Sequence, residues 1–394
     1  MDPRKNPFAP GAGTKPPALV GRDKQLEAFD ILLERLERGY AEQSMIVTGL
    51  RGVGKTVLLD VFREKAEARD WATIEWEVEK NAPFVVRLAA QVRRALLQIA
   101  PKARWTERAR KAAAVLKSFT LTFSSEGGMT AGLDIEALAG VGDSGALAED
   151  LSDLLVAVGD AAREQDVGVI LLLDEIQFLE PADFEALIVA MHRCARRSLP
   201  VTLVGAGLPQ MPRLAAEAKS YSERLFRFPH IGELDAEAAR DALVVPARGL
   251  GLEFEPSAVG FIVEYTQGYP YFLQEYGRII WDETSISPVT LDDVRPVLTL
   301  VETELDESFF RVRAERTTDL ELRYLYAMAE LGPEPHRANE VAQRIGRTAP
   351  QTGPIRSRLI EKGLLYTPGY GLAAFTVPQF DKYMLRCHSG LGSL

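Results

Sequence analysis

The stretch Gly49-Leu-Arg-Gly-Val-Gly54-Lys55-Thr56 satisfies the pattern G-x-x-x-x-G-K-[ST] with no mismatch. Its surroundings narrow what it can belong to. Ser44–Thr48, just before it, is a short apolar run that reads as a buried strand, and Val57–Phe62, just after it, opens a helix. Strand, glycine-rich loop and helix in that order make a phosphate cradle rather than a chance turn. A triphosphate concentrates negative charge, and such a loop meets it with backbone N–H groups and the positive end of the following helix. Gly49 and Gly54 let backbone come close to phosphate, and Gly52, Val53 and Val57 complete the loop and the first helical turn. Lys55 is expected at the β- and γ-phosphates, and Thr56 is expected to place its hydroxyl on Mg²⁺. Arg51 either adds charge to the site or is a solvated loop arginine.

A second motif agrees with the first. Val169-Ile-Leu-Leu-Leu173 runs without interruption into Asp174-Glu175. A continuous apolar run of this length reads as a strand covered on both faces in a parallel sheet. Ligands of open α/β sheets sit at the carboxyl ends of the strands, which is where Asp174 and Glu175 emerge. Asp174 is expected in the Mg²⁺ shell, and Glu175 is placed to orient or deprotonate an attacking water. The bland alternative, a strand that simply ends in acidic loop residues, loses weight beside the phosphate loop.

The remaining signals organise the chain. Thr73–Val78 and Val201–Gly205 read as strands; Phe84–Ile99, Leu151–Arg163 and Pro181–Arg197 read as helices. Strands alternating with helices predict a parallel sheet covered on both sides. Ser118–Phe123 and Met129–Ile135, on either side of Ser124-Ser-Glu-Gly-Gly128, predict a β-hairpin insertion over 118–135. From Asp235 the pattern turns to short helices, at Asp235–Leu243, Glu255–Gln267, Pro270–Trp281 and Leu291–Leu300, followed by a connecting helix over Glu302–Glu315. Helices at Leu320–Leu331, Ala338–Ile345 and Gln351–Lys362, then strands at Leu364–Tyr366 and Leu372–Thr376, spell a winged helix with Tyr370 at the wing tip. The resulting division is a flexible leader over 1–17, a nucleotide-binding core over 18–232, a helical lid over 233–301 and a C-terminal unit over 302–394. The leader carries five prolines and no apolar core, which excludes a signal peptide.

Charge and composition bound the partners. The net charge of −10 argues against a general nucleic-acid coat. Its distribution is uneven: from Arg316 onward ten Lys/Arg face seven Asp/Glu, so the preceding chain carries −13. Arg356, Arg358 and Lys362 on the third helix are candidate contacts to duplex DNA, or else a solvated face on a domain that docks on protein. No apolar run reaches the ~18 residues of a membrane span. Two cysteines and four scattered histidines suggest neither a disulfide framework nor a metal cluster, and a cytoplasmic protein is the simplest reading.

Taken in order, the phosphate loop, the acidic strand, the entry Val20-Gly21-Arg22, the helical unit and the winged helix resemble AAA+ ATPases. The resemblance is to the origin-recognition-like branch and the neighbouring STAND branch, over about residues 18–390. It implies ATP rather than GTP, with Val20, Gly21 and Arg22 bordering adenine and ribose. It makes 235–300 the lid, with Gly268-Tyr269-Pro270 similar to a GxP motif at the base. Arg224 or Arg227, in the charged segment after the last strand, either reaches a γ-phosphate on a neighbouring subunit of a homo-oligomer as an arginine finger or is a surface arginine. The chain departs from the family in two places. The strand Val201–Val204 runs into Gly205-Ala206-Gly207-Leu208-Pro209, without a polar side chain before Gln210, and no sensor arginine stands beside Gly268-Tyr269-Pro270. Both departures favour a slow nucleotide switch over a motor. An ATP-regulated DNA-binding protein and a protein-docking scaffold or defence-type sensor stay open as alternatives.

Overall fold

The computed structural model describes residues 1–11, 13–101, 105–123 and 135–390. Its centre is a five-stranded, all-parallel sheet of β1 (Ser44–Thr48), β2 (Ala72–Glu77), β3 (Val169–Asp174), β4 (Val201–Gly207) and β5 (Phe226–Arg227), in the order β2-β3-β4-β1-β5. In register, Met45 lies beside Val204, Leu173 beside Gly205, and Glu77 beside Asp174. Every residue of β1 and β4, and all of β3 but Asp174, is buried, as expected of parallel strands covered on both faces. Helices α1 (Asp23–Glu37) and α2 (Lys55–Glu67) cover one face. Helices α3 (Phe84–Ile99), α4 (Glu107–Phe123), α5 (Leu147–Glu164) and α6 (Pro181–Arg196) cover the other. Short helices α7 (Met211–Ala218) and α8 (Ser222–Leu225) lead to β5.

The lid follows as α9 (Ala236–Arg248), α10 (Pro256–Thr266), α11 (Pro270–Glu283) and α12 (Leu291–Glu304). Asp235 caps α9 by accepting from the Ala238 N–H, and Thr290 and Asp293 form a capping box on α12. The expected break between Leu300 and Glu302 is absent. Instead α12 continues through a π-turn at Leu305–Phe310 into α13 (Arg311–Ala314), so lid and connector are one helical run. The π-turn widens the helix enough to direct Phe309 and Phe310 into the core.

The C-terminal unit comprises α14 (Asp319–Leu331), β6 (His336–Arg337), α15 (Ala338–Arg344), α16 (Ala349–Glu361), β7 (Leu365–Tyr366), β8 (Leu372–Phe375) and α17 (Phe380–Cys387). Its three strands pair antiparallel in the order β6-β8-β7. Tyr370, fully exposed, sits in the turn between β7 and β8.

Two further expectations fail. Ser118–Phe123 is not a strand but the last turns of α4. Its alternation of hydroxyl and apolar residues misleads, because Ala112, Val115, Leu116 and Phe119 repeat at helical spacing and are buried. Ser118, Thr120 and Thr122 each donate to the carbonyl four residues back, so their hydroxyls are satisfied inside a helix. The rest of the expected hairpin, 124–134, lies outside the described residues. The segment read as a flexible leader is also wrongly read, since it packs along the lid. Phe8 is buried against Gly277, where a β-carbon would stand 2.5 Å from the ring. Asn6 donates to the Arg278 carbonyl (2.9 Å) and to Asp282 (2.9 Å), and the Trp281 indole donates to the Asp2 carbonyl (3.0 Å). Apart from a single 3-10 turn at Pro3–Lys5 the segment has no regular structure, and one buried aromatic with a few hydrogen bonds fixes it to the lid.

Candidate functional site

The carboxyl ends of β1 and β3 open into a cleft of about 390 Å³ bounded by the β1–α2 loop, the lid, the connector and the N-terminal segment. At the head of α2, Gly54 is in the left-handed region (φ 91°), which only glycine adopts freely, and it turns the loop into the helix. Gly52 is left-handed too (φ 83°), and a β-carbon there would stand 3.2 Å from Tyr271 Cβ and 3.3 Å from the Tyr269 hydroxyl. Gly52 therefore serves the closure of the lid as well as the turn. Lys55 is buried, and its ammonium donates to the carbonyls of Gly49 (3.1 Å) and Leu50 (2.8 Å). Burial pushes its pKa down, against the opposing pull of Glu175 and then Asp174.

The Thr56 hydroxyl donates to Asp174 Oδ2 at 2.5 Å. The other oxygen of Asp174 accepts from the Glu175 N–H at 2.8 Å. Burial raises the Asp174 carboxyl, and the Thr56 hydrogen bond works against that rise. Glu75 and Glu77, at the same end of β2, are raised by burial as well, and Asp174 adds to both shifts. Such a concentration of acid beside one hydroxyl fits a divalent cation. Among the described residues no group of three or more His, Cys, Asp or Glu could hold a metal alone. Mg²⁺ does not require one, because it is bound through one or two protein oxygens with phosphate and water completing its octahedron.

Glu175 adopts the left-handed region (φ 51°, ψ 37°), an uncommon conformation for a side-chain-bearing residue and one concentrated at functional sites. Its carboxylate accepts from Gln177 Nε2, while Gln177 Oε1 accepts from the Leu208 N–H at 3.2 Å. The apolar end of β4 acquires its physical reason here. A β-carbon on Gly205 would stand 2.9 Å from Ile176, and one on Gly207 would stand 2.9 Å from Gln177 Oε1. The glycines make room for the turn after β3, and Gln177 supplies from there the polar group that β4 lacks.

The remaining wall combines expected and missed residues. Val20, Arg22, Gly52, Val53, Gly54, Lys55, Thr56, Val57 and Pro270 line the cleft, whereas Gly21 and Gly49 stand behind it. Arg22 is buried and donates to the carbonyls of Val53 (3.0 Å) and Gly232 (2.8 Å), bracing the loop against the start of the lid. Sequence reasoning missed Tyr271, Gln274, Phe309 and Arg313, and also Pro10 and Thr14 from the N-terminal segment. The adjacency of Tyr271 and Gln274 to Gly268-Tyr269-Pro270 could have indicated the first two; nothing in the sequence points to the others.

Residues 18–204 match the family model described as the AAA ATPase domain. The chain carries an AAA ATPase domain. Residues 307–384 match a second model, described as a domain of unknown function (DUF8462). No curated protein matches. Among solved structures, the chain is similar to a Walker-type ATPase of Pyrococcus abyssi, at 15% identity and a TM-score of 0.52, covering 94% of this chain and 97% of that one. It is also similar to the Cdc6p of Pyrobaculum aerophilum, at 15% identity and a TM-score of 0.47, with 99% and 98% covered. The Orc1 protein of Aeropyrum pernix in complex with DNA follows at 16% identity and a TM-score of 0.45, with 95% and 94% covered.

The other expected site residues, Arg224, Arg227, Arg356, Arg358 and Lys362, lie outside this cleft. Arg224 is exposed on α8, beside Glu42 and Gln43 at the amino end of β1 and β5, and does not line the cleft of its own chain. Arg227 is paired with Glu42 at 2.6 Å. The three cations of α16 are engaged inside the C-terminal unit. Arg358 and Lys362 pair with the fully buried Glu321 at 3.0 and 2.6 Å. Arg356 donates to the Thr367 hydroxyl and the Leu372 carbonyl. Their spacing on α16 reflects ties to α14 and to the β7–β8 turn rather than a free cationic face. No helix among the described residues is long and apolar enough to cross a membrane.

Proposed function

We propose that this chain is an ATP·Mg²⁺-dependent switch that hydrolyses ATP slowly and transmits its nucleotide state through the connector to the C-terminal unit. The observation that carries this is the meeting of Lys55, Thr56 and Glu175 in one cleft walled by the lid and connector, with Asp174 hydrogen-bonded to Thr56 beside it. In this reading Lys55 leaves the loop carbonyls for the β- and γ-phosphates. Thr56 and Asp174 hold the cation, which when bound neutralises charge on the phosphate oxygens. Glu175 orients the attacking water and accepts its proton, while Gln177 fixes the direction of the carboxylate. Adenine lies between Val20 and the head of α11 at Pro270, with Arg22 acting behind the loop as a brace.

Slow turnover is supported by the glycine-rich end of β4, which offers the γ-phosphate no side chain of its own. A finger from Arg224 would require a second copy of the chain. For the C-terminal unit, ties within the domain to Arg356, Arg358 and Lys362 favour docking on protein over reading of duplex DNA.

The deciding test is nucleotide binding. Lys55→Ala should weaken ATP·Mg²⁺ by about 100-fold or more, as expected for loss of a buried charge-assisted contact. ATP affinity kept in that variant would sink the reading. Glu175→Gln should still bind ATP and fail to turn it over.

A further inference from the structure

The part of the cleft facing the connector holds an arrangement the ATPase reading does not use. Arg51, in the phosphate loop, and Arg313, on α13, both line it. Neither makes a salt bridge among the described residues, and the Nε of each is buried without a hydrogen-bond partner. Arg313 lies flat over the Phe309 ring, 3.8 Å from its centroid, and donates to the Phe309 carbonyl. Partial burial pushes its pKa down, and the neighbouring charge of Arg51 pushes it further the same way. Two half-buried guanidinium groups that line one cleft, neither in a salt bridge among the described residues, form an energetically poor arrangement that an anion would relieve.

Arg51 is also where the C-terminal unit touches the loop. Its backbone N–H donates to the Thr376 carbonyl at 3.2 Å. Its guanidinium lies against Gly363, where a β-carbon would stand 2.6 Å from Nη2. Gly363 is left-handed (φ 69°), and the Thr376 hydroxyl accepted by its carbonyl (2.7 Å) holds it to the end of β8. The phosphate loop, the connector and the C-terminal unit thus meet around two unpaired positive charges.

We infer that Arg51 and Arg313 together form an anion site for the terminal phosphate of the nucleotide, and that its occupation holds the C-terminal unit against the phosphate loop. The inference rests on the ATPase reading and extends it. A planar guanidinium fits two phosphate oxygens at once, and Arg313 brings this fork from an element outside the AAA ATPase domain. A phosphate between the two arginines converts their repulsion into a bridge. Nucleotide then favours the docked arrangement by the contacts it makes only there. Loss of the terminal phosphate returns the repulsion and releases the C-terminal unit.

The test uses the full chain, with ATP·Mg²⁺, ADP·Mg²⁺ and adenosine as probes. Arg313→Gln and Arg51→Gln should each weaken ATP·Mg²⁺ by about 10- to 100-fold, the size expected for a hydrogen bond to a charged group. ADP should lose less and adenosine nothing. Arg313→Lys, which keeps the charge without the fork, should recover part of the loss. Hydrogen exchange over residues 363–376 should slow on adding ATP·Mg²⁺ to the native chain and stay unchanged in Arg313→Gln. Equal losses for ATP and adenosine would mean a general packing defect and overturn the inference, as would native ATP affinity in Arg313→Gln. If Lys55→Ala abolishes ATP binding while Arg313→Gln leaves it intact, only the two-arginine site fails. If Lys55→Ala also leaves it intact, the nucleotide reading itself fails.

Discussion

The most consequential side chain that the sequence hides is Gln177. A reader of Asp174-Glu175-Ile-Gln177 sees an acidic pair followed by turn residues, and the gap at Gly205-Ala206-Gly207 looks like a missing part. The structure brings a polar side chain to that gap from the turn after β3, but ties it to Glu175 and to the Leu208 N–H. Accepting one amide N–H leaves the carboxylate with lone pairs for a water, so the contact aims Glu175 without blocking it. Gln177→Ala is expected to lower kcat for ATP hydrolysis by roughly tenfold, within the range of a positioned general base, while leaving KM nearly unchanged. Steady-state phosphate release decides it. A rise in KM with kcat preserved would place Gln177 in binding instead.

At the scale of elements, what the sequence makes legible is whatever depends on local periodicity. The strands β1, β3 and β4 show as apolar runs, and the loop before α2 shows as a motif, because burial on both faces and phosphate geometry leave direct marks on residue type. The end of α4 does not, because hydroxyls that bond back to their own helix look the same on paper as the polar face of a strand. The N-terminal segment is illegible for another reason: its contacts are with α11, distant in sequence, and Phe8 is its one buried aromatic. Phe8→Ala should therefore speed ATP dissociation, measured by chase of a fluorescent analogue, with kcat unchanged, because the segment walls the cleft and makes no hydrogen bond to Asp174 or Glu175 among the described residues. The ion cluster on α14 makes a second element-scale prediction. Burial would raise the Glu321 carboxyl, but Lys362, the Thr318 N–H and Arg358 outweigh it and hold it at about 2. Its folded pKa is thus below the unfolded value of about 4.3. The stability it contributes is complete above that value and is lost as pH falls toward 2. Glu321→Gln should destabilise the C-terminal unit by about 1–3 kcal/mol at pH 7, the cost of leaving charged partners unsatisfied. The difference from the native chain should shrink as melts are repeated between pH 4 and pH 2.

On the scale of the whole molecule, the two faces of the sheet carry separate apolar cores. One gathers α3 to α6 with β2 and β3. The other is continuous from Phe8 and α2 through the lid to Phe310, Phe375, Phe380 and Tyr383 in the C-terminal unit. The cleft opens only onto this second core, since its walls are the phosphate loop, lid, connector and N-terminal segment. A ligand that binds only the folded state stabilises by RT ln(1 + [L]/Kd), about 2.7 kcal/mol at a hundredfold excess over Kd. That free energy is delivered to the elements whose opening would break the cleft, so protection should divide along the sheet. Saturating ATP·Mg²⁺ is expected to slow hydrogen exchange by about 100-fold, the same free energy read as an equilibrium ratio, in α11, the π-turn at Leu305–Phe310 and β8. Amides of α3 and α5, on the opposite face, should change little. Chelating the cation with EDTA should remove most of the effect, and Lys55→Ala should remove all of it. Uniform protection of both faces would mean that the two cores open as one cooperative unit. Protection confined to the phosphate loop would mean that lid and C-terminal unit are not coupled to the nucleotide at all, and the switch would lose its output.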